Sequence, residues 1–432
     1  MVRTGALAAV CFTCGMFAQQ PNAPATPLTL TFTEALARAR QYGVELQTAN
    51  IAALLAREDR IQAKAAMLPQ AQQVDEFLYT QPNDTLSGIF VPNDGPHVYY
   101  VYAGAHEDFS YTRRAEYRRA QAAEALAEAK ADLAARGIFA TLAQDYYGLV
   151  IAQRKLANAE QSLRDAQAFQ SITEKLEQGG EAAHTDVIKA QLQTEQRQRD
   201  VSDARLTVDK TRIALGVLLF PDFRQDFSVA DDIEQAPPLS PFEQVRREAE
   251  AKNPELRVAE AGVAEGKADL STARAAYYPA PFADYFYGIQ ANQLALYNRE
   301  HENNLGSAFD VGVNIPLWTW GAAQSRVRQA QLRQKQATVE LSLAQRQLLA
   351  NLNSAYEEAA LARSQLNSLR SSLTLATESL RLTTLRYQGG EATALEVVDA
   401  QNTLAAARNA LDDGLSRYRI AVAELQSLTG NF

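Results

Sequence analysis

Two carboxylates, Glu396 and Asp399, stand three residues apart in the stretch RYQGGEATALEVVDAQ, residues 386–401. A spacing of three places both on one face of a helix. Crowded carboxylates repel one another, which raises some of their pKa values, and a group of them favours cations. A solvated helix face accounts for the same pair, and the residues alone leave both readings open. The chain writes this stretch a second time, as KLEQGGEAAHTDVIKAQ, residues 175–191. There Asp186 takes the place of Glu396, and Lys189 the place of Asp399.

Nothing else in the chain has the makings of catalysis. The histidines His97, His106, His184 and His301 are scattered, and none has a zinc-enzyme spacing such as HExxH. There is no nucleophile elbow. The run GIQANQ lacks the Gly and Lys pattern of a phosphate loop. Three methionines, with both cysteines confined to Cys11 and Cys14, disfavour a copper relay. No metal site, cofactor or enzymatic activity is expected. A net charge of −9 and a pI near 5.2 argue against nucleic acid as a partner.

The elements that must position the carboxylates come from a duplication. Gly179-Gly180-Glu181 recurs as Gly389-Gly390-Glu391, an offset of 210 residues, and the same offset carries Phe32 onto Phe242, Pro69 onto Pro279 and Tyr146 onto Tyr356. One register held across the chain marks a tandem repeat. The copies are expected at residues 30–218 and 242–430, with a linker at 219–241. Each begins with one Ala- and Glu-rich helix that runs to a proline, Pro69 or Pro279. A β-hairpin follows, at about 72–112 and about 282–318. In the second hairpin Leu305, Phe309, Val311 and Val313 alternate with Ala308, Asp310, Gly312 and Asn314, the period of a half-exposed strand. Then come proline-free helical stretches, about 113–177 and 322–387, each roughly 100 Å long at ~1.5 Å per residue. Each turns at Gly179-Gly180 or Gly389-Gly390 into a return helix, since glycine accepts positive φ at a helix end.

Residues 1–18 read as a signal peptide, with one Arg, an apolar run and a Pro-rich sequel, and residues 19–29 as an extended segment. Cys14 follows Cys-Phe-Thr, a poor site for lipidation. No apolar run past this leader is long enough for a transmembrane helix. Four alternating strands do not close a barrel alone, so they form either a soluble sheet packed on the helices or a barrel shared between chains. Tyr99, Tyr100, Tyr102, Tyr111, Tyr285, Tyr287, Tyr297, Trp318 and Trp320 lie near the strand ends, as in an interfacial girdle.

Four features taken in order resemble the TolC-like outer-membrane efflux proteins: NPEL at 253–256, YYP at 277–279, VGVNIPLWTWG at 311–321 and the hairpin tip RYQGGEATALEVVDAQ. The duplication resembles them too, and the likeness spans the mature chain. It implies a mainly α fold with a β-barrel part. Three protomers would share a 12-stranded outer-membrane barrel continuous with a 12-helix periplasmic barrel. It implies an exit duct of a tripartite efflux pump or type I secretion system in a Gram-negative bacterium. The partners would be a periplasmic adaptor, an inner-membrane pump and outer-membrane lipid. Glu396 and Asp399 match the family's acidic constriction. Asp186 and Tyr387 match residues that hold the entrance closed together with an arginine, and Ala392 occupies that arginine's position. Lys189 is expected to lie near the acidic ring and partly neutralise it. The tips Gly179, Gly180, Gly389 and Gly390 would receive the adaptor, and Pro316 and Gly321 would mark the strand-to-helix exit. The competing reading is a soluble periplasmic coiled-coil scaffold or adaptor-like structural protein.

Overall fold

The computed structural model describes residues 28–80, 97–235 and 237–432. The leader expected at 1–18, most of the segment 19–29, both cysteines and the loop 81–96 lie outside them. A short strand β1 (Leu28–Leu30) leads into helices α1 (Phe32–Tyr42) and α2 (Val44–Ala65), strands β2 (Gln70–Tyr79) and β3 (His97–Asp108), and the helical hairpin α3 (Tyr111–Gln178) and α4 (His184–Leu219). After β4 (Phe227–Val229) the plan repeats as α5 (Phe242–Lys252), α6 (Pro254–Ala275), β5 (Ala280–Ala291), β6 (Leu305–Asn314), α7 (Ala322–Gln388) and α8 (Ala394–Thr429). The helices α1, α2 and α4 fall on α5, α6 and α8 at the 210-residue offset, to the residue.

The single first helix expected in each copy is in fact two. The break falls at Gly43 and at its repeat counterpart Asn253, both with extended ψ, 111° and 124°. Pro254 explains the second break, because proline disfavours helix in the residue before it and suits the first position of a new helix. Asn253 caps that new helix by accepting from the Leu256 N–H at 3.0 Å. At Gly43 a Cβ would sit 2.6 Å from the Ala39 carbonyl oxygen, a backbone atom with little room to move, and 2.5 Å from Ile138 Cδ1.

A smaller cluster lies near the tips of the long helices, and the main core lies at their middle. Leu142, Tyr146, Leu149 and Leu352 are fully buried there against α1 and the ends of α4 and α8. The repeat shows itself in the chemistry. Tyr146 donates to the Leu30 carbonyl at 3.1 Å, and Tyr356 donates to the Ser240 carbonyl at 3.2 Å, the same bond 210 residues on. Phe32 and Phe242 meet these tyrosines edge-on at 5.4 and 5.1 Å. The linker is tied down by Arg154, which reaches Asp231, Glu234 and Asp412. Burial works against its charge, but those three carboxylates outweigh burial and hold it protonated.

The four strands form one antiparallel sheet in the order β2-β3-β5-β6, with β2 and β6 as unpaired edges. Among the described residues no helix makes extensive contact with this sheet. Beneath it α2, α3, α6 and α7 neighbour one another in the same order, so the strand layer runs on into a helix layer. The strand register puts Phe77, Tyr99, Tyr285, Tyr287, Phe309, Val311 and Val313 on one face. Most of these side chains are exposed. On that face Gln73 and Asp75, hydrogen-bonded to each other, together with His97, Glu107 and Ser307, interrupt the apolar surface. The other face carries His106 paired with Asp284 at 2.7 Å, Gln290, Asp310 and three glycines of β5 and β6.

The exit from β6 is irregular from Ile315 through Pro316 to Gly321. Gly321 has φ +81°, and Trp320 before it has φ +53°, a left-handed conformation uncommon outside glycine. Trp318 and Trp320 pack edge-on at 5.7 Å and are both exposed.

Candidate functional site

Both hairpin tips are built alike. The last turn of α3 closes with Gly180 N–H to the Glu177 carbonyl at 2.8 Å and Glu181 N–H to Leu176 at 2.8 Å. The end of α7 repeats this with Gly390 to Tyr387 at 3.1 Å and Glu391 to Arg386 at 2.8 Å. This nested pair satisfies the carbonyls left open at a helix end, and it needs one residue at positive φ. Only the second glycine of each pair serves that need, Gly180 at φ +77° and Gly390 at φ +73°. Gly179 is right-handed, at φ −77°. The two glycines are therefore expected to respond differently. Gly180→Ala or Gly390→Ala should strain the turn by about 1 kcal/mol, while Gly179→Ala or Gly389→Ala should be neutral or slightly stabilising. Amide exchange at the tips reads the difference.

Across the first tip, His184 Nδ1 lies 2.6 Å from Glu177 Oε1. The second tip has no such pair. Instead Arg386 donates to the Glu391 carbonyl at 3.0 Å and approaches Glu396 at 3.7 Å. Neither link stands out in the sequence, because each depends on the turn bringing two helix ends together.

Glu396 has a local role that sequence reading missed. It accepts from the Thr393 N–H and hydroxyl, both at 3.1 Å, while its own N–H donates to Thr393 Oγ1 at 3.3 Å. This is a capping box, and its signal, Thr-x-x-Glu at the head of a helix, was legible at 393–396. The first copy has Ala183 at the cap and lacks the box. The Thr393 backbone bond, the Thr393 hydroxyl and Arg386 together hold the Glu396 carboxyl below the ordinary carboxylate range. Within one protomer its pKa thus moves opposite to the rise expected for crowded carboxylates. Asp399 is exposed one turn on, with Glu396 on the same side of α8.

A carboxyl depressed on folding stabilises the fold above its unfolded pKa, and that contribution is lost as pH falls through the lower folded value. The second tip should therefore loosen as pH falls below the ordinary carboxylate range, through the loss of its capping box, a contribution that the first tip lacks. Amide exchange of residues 391–397 against 181–187 from pH 6 down to about pH 3 measures this.

The remaining candidates assemble only in part. Tyr387 is buried where the two hairpins meet, edge-on to Phe169 at 5.1 Å and packed with Ala190, Ala394 and Val397. Its hydroxyl has no hydrogen-bond partner among the described residues. Within one protomer it makes no bond to Asp186. The Asp186 carboxylate meets Lys189 Nζ at 3.3 Å instead, one turn along α4. Lys189 thus neutralises Asp186 first. Ala392 adds a half-buried methyl to the Tyr387 cluster. The bonds that join the hairpins sit deeper: Gln401 to the Asp165 carbonyl at 3.2 Å, Arg408 to Asp165 at 3.4 Å, and Asn158 to Asp412 at 2.7 Å. No sequence motif marked these, since each partner is an ordinary polar residue on a long helix. No group of side chains among the described residues has the makings of a metal site.

Residues 245–431 match the family model described as outer membrane efflux protein. The cation efflux system protein CusC of Escherichia coli (strain K12) is 25% identical over 282 residues, 64% of this chain and 60% of CusC, so the match spans about three-fifths of that relative's length. The proteases secretion protein PrtF of Dickeya chrysanthemi is 24% identical over 337 residues, 74% of this chain and 70% of PrtF. Among solved structures, the Campylobacter jejuni CmeC outer membrane channel superposes with a TM-score of 0.80 at 15% identity, covering 93% of this chain and 86% of that one.

Proposed function

We propose that the chain is a TolC-like outer membrane efflux protein, a reading supported by the family match over residues 245–431, and that three copies build one passive duct through the outer membrane and periplasm. The observation that carries this is the open layer. Four strands run on into four helices in the same order, and among the described residues the edge strands β2 and β6 are each paired on one side only. Strands of 10 to 12 residues match the ~9–11 that a tilted strand needs to cross a bilayer. The edge helices expose apolar side chains that call for a partner, among them Ile51, Leu54 and Ile61 on α2 and Leu332, Val339 and Leu343 on α7. Two copies would give an eight-stranded barrel whose interior is filled by side chains, whereas a third copy leaves an aqueous lumen.

In this assembly the face of Phe309 and Val311 meets lipid and the face of His106 and Asp310 lines the lumen. Glu396 and Asp399 from three chains ring the periplasmic mouth and favour cations. Asp186, Lys189 and Tyr387 couple the hairpins there. A periplasmic adaptor docks on the Gly-Gly tips, and an inner-membrane pump supplies the energy. The named relatives divide between cation efflux and protease secretion, which supports a reading in which the pump chooses the cargo. The duct itself carries out no catalysis.

Planar-bilayer recording on the detergent-purified protein tests the duct. Discrete ion conductance from a heat-labile oligomer is the expected result. A protein that stays soluble without detergent and conducts nothing would favour the periplasmic scaffold.

A further inference from the structure

We propose that each protomer carries, just beneath the barrel, a site for the phosphate of an anionic phospholipid headgroup in the inner leaflet. The proposal rests on the outer-membrane reading above. Between α3 and α6, with Gln334 of α7 also lining it, lies a cleft of about 510 Å³. Its floor is apolar, made by Ala115, Leu270 and Ala275, all buried. Four cations rim it, Arg114, Arg118, Lys267 and Arg274, and no carboxylate does. Among the described residues none of the four makes an ion pair or a side-chain hydrogen bond. Three nearby arginines are paired: Arg113 with Asp108, Arg119 with Asp269, and Arg60 with Glu124. Four gathered and uncompensated cations repel one another, so the cleft favours an anion.

The cleft lies on the outside of the proposed duct. Asp108 belongs to the polar strand face, because it alternates with Glu107 in β3 and opposes Phe282. Arg113 pairs with Asp108 and so marks the lumen side of α3. Tyr111, Arg114, Ala115 and Arg118 follow one another at spacings of three and four, which places them on the opposite side of that helix. They continue the apolar strand face. The helices α3 and α6 are also the inner pair of the layer α2-α3-α6-α7, so contact between copies along α2 and α7 leaves the cleft open.

Height selects the occupant. Tyr111 and Tyr278, 5.3 Å apart, sit at the strand ends where the aromatic girdle belongs. Arg114 and Arg274 lie three and four residues below them, about 5–6 Å at the helical rise. The headgroup zone is itself roughly 5–8 Å deep on each side of a bilayer. Arg118 follows at about 10 Å, and Lys267 lies deeper but has a long side chain that reaches upward. Basic pockets at this level suit phosphate headgroups, and the apolar floor suits the adjoining glycerol and upper acyl carbons.

The test uses the detergent-purified oligomer and native mass spectrometry, with phosphatidylglycerol, phosphatidylethanolamine or inorganic phosphate added. The oligomer should retain phosphatidylglycerol over phosphatidylethanolamine. The variant R114Q/R118Q/K267Q/R274Q should lose that retention at least tenfold, and R114Q/R274Q should lose most of it. A control on α7, R326Q/R328Q, should behave as the parent. Equal retention by the parent and both cleft variants would overturn the proposal. So would displacement of the lipid by inorganic phosphate at equal concentration, which would mark a free-anion site. An oligomer of the wrong size appears before any lipid is added, so failure of the duct reading is seen separately.

Discussion

Phe309→Lys is expected to abolish assembly into the membrane, while Ala308→Lys next to it is tolerated. The two residues are adjacent in β6 and point to opposite faces. Phe309 opposes Tyr285 on the apolar face, and Ala308 opposes Phe286 on the other. A lysine facing lipid near the bilayer midplane costs about 2–4 kcal/mol, and a barrel of three copies incurs it three times. A lysine facing a watery lumen incurs none of that. Recovery of heat-labile oligomer from outer-membrane fractions distinguishes the two. Equal recovery would mean that the face bearing Phe309 does not meet lipid.

Replacing both Glu396 and Asp399 is the second large effect. With Glu396→Gln and Asp399→Asn, cation-over-anion permeability should fall at least about threefold, because a ring of carboxylates sets cation preference. Gln still accepts from the Thr393 N–H, so this pair removes charge and keeps the cap. With Ala at both positions, conductance should also rise, since the mouth loses side-chain bulk and α8 loses its capping box. Thr393→Ala separates these causes: it removes the cap and keeps both charges. If Thr393→Ala reproduces the double Ala variant and the Gln/Asn pair changes nothing, Glu396 acts as a cap and not as a constriction.

Much of the fold was legible because it rests on local signals. The proline-free stretches and Gly-Gly turns predicted both helical hairpins to within a few residues, since a helix end is set by its own neighbours. The helix breaks at Gly43 and Asn253 were missed, although Asn253-Pro254 is a strong local stop. The apolar period of the segment continues across the break and masked it. At the second tip Glu396 and Asp399 are both exposed on α8, while Tyr387 is buried in the cluster with Phe169. What the sequence did not disclose was competition for them. Glu396 is drawn back to Thr393 and Asp186 is drawn to Lys189, both one turn away. A side chain with a close partner on its own helix is less free to serve a distant one. Tyr387 is the converse case, with its ring held by Phe169 and its hydroxyl left without a partner.

The shared barrel makes one direct demand: β2 of one copy must pair with β6 of the next, and the chain of pairs must close at three copies. The chain has no cysteine after Cys14, so introduced thiols report cleanly. A cysteine at Phe77 on β2, combined in turn with one at Leu305, Ser307 or Phe309 on the same face of β6, scans the register between copies. On oxidation in the outer membrane, at least one combination should yield a covalent ladder that ends at three chains. No cross-link between chains at any register, or a ladder running past three, would contradict the shared barrel.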